Sequence, residues 1–197
     1  MNGAKTSGAS PSEVENLRGL ALLLRGDEKT ALASFNRALA LAPALEAARL
    51  NRGLAYLRLR EDAKAAADFQ QIYANEQSPL RGDAAYHLGI ALDRLGRAKE
   101  AEEALDRALT LDGKLDGALL YVGMLREKRG DLQGAGRAYR QYLEAHPQST
   151  AAMLRFGMSA HKAGRVEVAR TYLEKVIATA PHSSDAVEAR KFLVMWE

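Results

Sequence analysis

Apolar residues recur along this chain at three- and four-residue intervals, the spacing that places them on one face of an α-helix. Val14, Leu17, Leu20, Ala21 and Leu24 form the first such stretch, and Ala31 with Phe35 belong to the next. The stretches come in pairs joined by short turns, among them Arg25-Gly26-Asp27, Leu95-Gly96-Arg97 and Arg129-Gly130-Asp131. Nothing alternates as a half-buried strand would. The pattern predicts helices throughout, ordered as hairpins.

The pairs repeat. Glycine stands at Gly19, Gly53, Gly89, Gly123 and Gly157, and twelve residues after each comes Ala31, Ala65, Ala101, Ala135 and Ala169. Four residues further stands a large apolar side chain: Phe35, Phe69, Leu105, Tyr139 and Leu173. Breakers close most copies, at Pro43, Gly113, Pro147 and Pro181, while the second copy has Gln77 there and Pro79 two residues later. The small residues mark close approach of two helix backbones, and the large one fills the gap between them. A single helical pair cannot bury its apolar face alone, so neighbours must stack.

This register resembles the tetratricopeptide repeat (TPR) family, from about Ser12 to Ser183. The resemblance implies an all-α, right-handed superhelical solenoid of antiparallel helix pairs. Five repeats are expected, over 12–45, 46–79, 82–115, 116–149 and 150–183. A C-terminal capping helix is expected over 184–197, opened by Ser183, Ser184 or Asp185 as N-cap. Residues 1–11, small and polar, read as a disordered leader. The string Pro181, Ser183, Ala186, Ala189, Leu193 is also similar to repeat ends in bacterial cell-envelope TPR proteins. Two departures stand out. Where the family carries bulky apolar residues, the first two copies have Glu15 and Arg18, then Arg49 and Arg52. Gly134 and Gly136 fall inside a predicted helix of the fourth copy, at a cost of about 1 kcal/mol each relative to Ala.

Composition narrows the function. The chain has 28 Lys and Arg against 25 Asp and Glu, a net charge of +3, with both signs mixed. No basic stripe of the kind that binds nucleic acid appears, so no nucleic-acid partner is expected. The absence of cysteine excludes a disulfide framework, a zinc–thiolate site and a thiol nucleophile. No apolar run is longer than one such as Leu20 to Leu24, far short of the roughly 20 residues needed to span a bilayer. The sequence as given reads as soluble and cytoplasmic, or periplasmic if a targeting segment has been removed from the N-terminus.

No constellation of catalytic residues emerges. His87, His146, His161 and His182 lack partners at metal-ligand spacing and read as surface histidines. Gly113-Lys114 is followed by Leu115, so it is no phosphate loop. Glu100, Glu102 and Glu103 read as a solvated helix face. No enzyme activity, cofactor or metal is expected.

What remains is binding. The resemblance places function on a concave face lined by the first helix of each repeat. In this sequence that lining includes Leu20 and Leu24, then Leu50, Leu54 and Arg58, then Tyr86, Ile90 and Arg94. It continues with Leu120, Tyr121, Met124 and Lys128, then Leu154, Met158 and Lys162. Leu20, Leu54, Ile90, Met124 and Met158 share one slot and form an apolar strip. Arg58, Arg94, Lys128 and Lys162 share another and form a basic ladder. Together they suggest a protein or peptide partner, amphipathic with acidic flanks. The carboxylate clamp of chaperone co-factors in this family is not expected, because of its slots only Asn51 fits and Asp83 would repel a carboxylate. The expected function is a non-catalytic scaffold for a partner polypeptide. The alternatives are a self-assembling structural protein, hence a homo-oligomer, or an accessory subunit of a bacterial envelope or secretion assembly.

Overall fold

The computed structural model describes residues 8–111 and 116–196, and among them every regular element is an α-helix. The helices are α1 (Pro11–Leu24), α2 (Glu28–Leu41), α3 (Glu46–Arg58), α4 (Asp62–Tyr73), α5 (Arg81–Arg94) and α6 (Ala98–Leu111). They continue with α7 (Asp116–Lys128), α8 (Leu132–Ala145), α9 (Thr150–Lys162), α10 (Val166–Thr179) and α11 (Ser184–Met195). The described residues up to 111 form one compact unit and those from 116 onward a second. Most of the expected leader, and the breaker Gly113 with Lys114, lie outside the described residues.

Local side-chain chemistry starts several of these helices, and at Ser183 it does so where the sequence expects it. Asp27, Asp131, Ser149 and Ser183 each accept a hydrogen bond from the backbone N–H three residues on, as N-caps do. The first helix begins earlier than the leader reading allows. Ser10 caps it in a reciprocal capping box with Glu13, and Pro11 occupies the first helical position, where its missing N–H costs nothing.

The hairpin turns share one closure. In each, the N–H after the turn residue donates to a carbonyl five residues back: Asp27 to Leu22, Glu61 to Tyr56, Arg97 to Leu92, Asp131 to Arg126 and Arg165 to Ala160. This bond belongs to the Schellman helix stop, which needs a residue at positive φ. Gly26, Gly96, Gly130 and Gly164 supply it, at 74° to 83°. In the second copy the same slot is Arg60, at φ 63°.

Packing between paired helices rests on the glycine and large-residue positions. Ala31, Ala65, Ala101, Ala135 and Ala169 are fully buried, as are Phe35, Phe69, Leu105, Tyr139 and Leu173. A Cβ built on Gly19 or Gly53 would come within 2.5 Å of a Phe35 or Phe69 ring carbon, and one on Gly89 within 2.6 Å of Leu105 Cγ. On Gly123 it would strike the Tyr139 ring. The glycine opens the space that the large side chain occupies.

The departures from the family pattern turn out to be satisfied rather than loosely packed. Arg49 is buried, donating from Nε to Gln71 Oε1 (2.9 Å) and from Nη2 to the Pro43 carbonyl (2.7 Å). Arg52 grips buried Asp68 with two bonds, Nε to Oδ2 at 2.8 Å and Nη2 to Oδ1 at 2.6 Å. A fully hydrogen-bonded pair of this kind is close to energetically neutral against an apolar one, whereas breaking it is costly. Gly134 lies in the first turn of α8, where its N–H is held by Asp131 Oδ1 at 2.8 Å, so it is not an interior glycine. Gly136 faces Arg165 and Phe156.

In the second unit α11 packs on α9 and α10, burying Ala186 and Ala189. Thr150 donates to Asp185 Oδ2 at 2.6 Å, and the Trp196 ring stacks on His161 at 3.6 Å. These contacts suit a helix that closes the end of a stack.

Candidate functional site

The first helix of each repeat carries a glycine against its hairpin partner and, one residue later, a side chain rotated off that contact. That later residue is Leu20, Leu54, Ile90, Met124 or Met158, and all five are half-buried. A slot that were pure core would be closed in some copies, and a solvated slot would be polar. Leu50 and Tyr86 in the first unit, and Leu120 and Tyr121 in the second, are also half-buried. Two lining residues fall elsewhere. Leu154 is only 6% exposed and belongs to the core of the second unit, while Leu24 is 74% exposed near the end of α1.

The basic ladder has partners within the chain. Arg58 Nη1 donates to the Leu23 carbonyl at 2.5 Å and lies 3.8 Å from Glu28. Arg94 Nη1 donates to the Leu57 carbonyl at 2.8 Å and to Asp62 Oδ1 at 3.3 Å. Both arginines reach back to the last turn of the preceding repeat's first helix, where carbonyls lack intrahelical partners and a cation complements the helix dipole. In the second unit Lys162 reaches Glu127 Oε1 at 2.5 Å, and Glu127 also accepts from the Tyr139 hydroxyl at 3.0 Å. Burial, with the Glu127 carboxylate beside it, pushes the Tyr139 phenol well up and keeps it a donor. Lys128 also has an interaction within the chain. Arg58, Arg94 and Lys162 each tie their repeat to the one before.

Two polar expectations are resolved by contacts. Asn51, the one residue that fits the carboxylate clamp, donates to Asn16 Oδ1 at 2.9 Å. His87 is not a surface histidine. It lies against the Phe69 ring at 5.4 Å and Tyr86 at 4.8 Å, and its Nδ1 is buried with no hydrogen-bond partner among the described residues. Burial pulls its pKa down to about 4, so it is neutral at pH 7. His161 is likewise covered in part, by Trp196. Only position within the folded hairpins separates these histidines from the exposed His182, and spacing along the chain carries no such signal.

Among the described residues no group of three His, Asp or Glu side chains is placed to hold a metal ion, and no helix is long and apolar enough to cross a membrane.

Comparison with known proteins agrees with the helical-hairpin architecture. The structure is similar to MamA from Desulfovibrio magneticus RS-1, with a TM-score of 0.78 at 15% identity, over 89% of this chain and 98% of that one. It is similar to YrrB, described as a TPR protein with an unusual peptide-binding site, with a TM-score of 0.71 at 25% identity, over 90% of each chain. It is also similar to PilW, described as a type IV pilus biogenesis factor, with a TM-score of 0.67 at 19% identity, over 94% of this chain and all of that one. These likenesses concern the fold. No curated protein sequence matches the chain significantly. The sequence pattern of the tetratricopeptide repeat matches residues 50–116 and 123–184, more than half of the whole. Architecture and pattern agree: this chain belongs to the tetratricopeptide repeat family, whose fold is a scaffold for protein–protein contact.

Proposed function

We propose that the chain is a non-catalytic adaptor that holds an apolar segment of a partner polypeptide on the first-helix face of the repeats within each unit. One observation carries this reading: the residue after the hairpin glycine is large, apolar and half-buried in all five copies. Such a slot leaves apolar surface available to a ligand, and repeated apolar surface of this kind marks binding sites more often than chance exposure does. Tyr86 and Tyr121 are the candidate anchors, since a ring with a hydroxyl combines apolar area with a hydrogen bond. Arg58, Arg94 and Lys162 already serve carbonyls and carboxylates of the chain itself, so apolar anchors carry the affinity and acidic flanks add little. The test is a dissociation constant for a partner captured by the intact chain. Tyr86→Ala or Tyr121→Ala should cost about 2 kcal/mol or more of binding with helical content unchanged. Unchanged affinity in both variants would overturn the reading.

A second reading, self-association, rests on α1. Val14, Leu17 and Leu24 are 51%, 58% and 74% exposed on this first helix. A second copy covering them would make sedimentation concentration-dependent, and Leu17→Asp with Leu24→Asp would return the chain to a monomer. A wild-type chain monomeric at high concentration excludes it.

A further inference from the structure

The slot that follows the turn residue is Asp27, Glu61, Arg97, Asp131 and Arg165 in successive copies. Asp27 and Asp131 cap the helices they precede, at 3.2 Å to Thr30 N and 2.8 Å to Gly134 N. Arg97 cannot cap, but it grips Glu100 in the next turn, with Nε to Oε1 at 2.7 Å. Arg165 does neither. It makes no side-chain cap to α10, where Val168 stands in the place of Glu100. Its Nη2 is buried and has no hydrogen-bond partner among the described residues.

Room for this guanidinium comes from Gly136, whose missing Cβ would lie 2.9 Å from Arg165 Nη2. Other copies carry Leu32, Ala66, Glu102 and Arg170 at that position. The helix-weakening glycine of the fourth repeat is therefore matched to the unpaired arginine of the fifth. Both face a cleft of about 220 Å³ lined by Gln133, Gly136, Arg137, Arg140, Ala163 and Arg165. Arg140 is held over the Phe156 ring, 5.9 Å from its centroid. None of the three arginines has a salt-bridge partner among the described residues. Three guanidiniums line this cleft with no carboxylate among its lining residues, so an anion entering it meets only positive charge.

We infer that this cleft is a binding site for a phosphate-class dianion, carried as a phosphomonoester or free as inorganic phosphate. The guanidinium fork matches tetrahedral oxyanions in charge and geometry. A dianion with three acceptor oxygens uses three arginines better than one carboxylate does. The site belongs to α8 and the α9–α10 turn, and it shares no residue with the first-helix face proposed above.

The experiment is calorimetric titration of the intact chain with inorganic phosphate, with acetate at matched ionic strength, and with a short phosphoserine peptide. Saturable phosphate binding is expected, with acetate far weaker. Arg137→Gln, at an exposed position, should weaken it about tenfold or more. Arg165→Asp should do the same while supplying the cap residue that two other copies already use. Arg18→Gln, in the first unit, should leave it unchanged. Tighter binding of the phosphopeptide than of phosphate assigns the anion to a polypeptide partner, and the reverse assigns it to free phosphate. Either result supports the site. Absence of saturable binding, equal binding of acetate, or equal affinity across the three variants would overturn it.

Discussion

The Cβ that Gly53 lacks would stand 2.5 Å from Cε1 of Phe69, sixteen residues along the chain and on the other helix of the hairpin. The same relation at Gly157 is looser, with Leu173 Cδ2 at 3.1 Å. Alanine gains about 1 kcal/mol of helix propensity over glycine in both places, but overpacking a fully buried ring costs about 1–3 kcal/mol. Gly53→Ala should therefore lower the urea midpoint clearly, and Gly157→Ala should leave it nearly unmoved. Equal shifts would show that the ring can step aside.

Arg60 should be replaceable with profit. It holds a positive φ of 63° where the other four turns have glycine. An L-residue there carries a penalty of about 1–2 kcal/mol, partly offset by the greater chain entropy that glycine loses on folding. Arg60→Gly should raise stability by roughly 0.5–1 kcal/mol, read as a higher thermal midpoint. A lower midpoint would show that the Arg60 side chain makes a compensating contact.

His87 gives the first unit a pH dependence of definite sign. Its folded pKa of about 4 lies below the ordinary value of 6.5, so the unfolded chain takes up the proton first. The stabilising effect of burying a neutral ring is whole above pH 6.5 and is lost as pH falls from there toward 4. The wild type should be about 2 kcal/mol less stable at pH 5 than at pH 7 from this group. His87→Leu should flatten that window. A variant with the same pH profile as the wild type would place the titration elsewhere.

Arg94 should act as a staple before it acts as a ligand contact. Arg94→Gln removes the bonds to the Leu57 carbonyl and to Asp62, and should cost about 1 kcal/mol of stability in the first unit. Amides in the last turn of α3 should then exchange faster, by native-state hydrogen exchange. Unchanged protection would free Arg94 for the partner-binding role that its place in the ladder suggests.

Sequence alone determined the hairpins, their number and their register, because the determinants are local or recur at fixed spacing. Helical periodicity, the Gly-to-Phe35 type of pairing, and the cap at Ser183 are written in order along the chain. The apolar strip from Leu20 to Met158 follows from the same register. Tertiary structure alone decided what each polar side chain does, because its partner lies in another helix at no fixed sequence distance. Arg49 and Arg52 read as flaws until Gln71 and Asp68 stand beside them. Arg58 and Arg94 read as a ligand ladder until they meet the carbonyls of Leu23 and Leu57. Leu154 sinks into the core and His87 is pressed against Phe69. Gly136 reads as a weakness in α8 until the guanidinium of Arg165 fills the space it leaves.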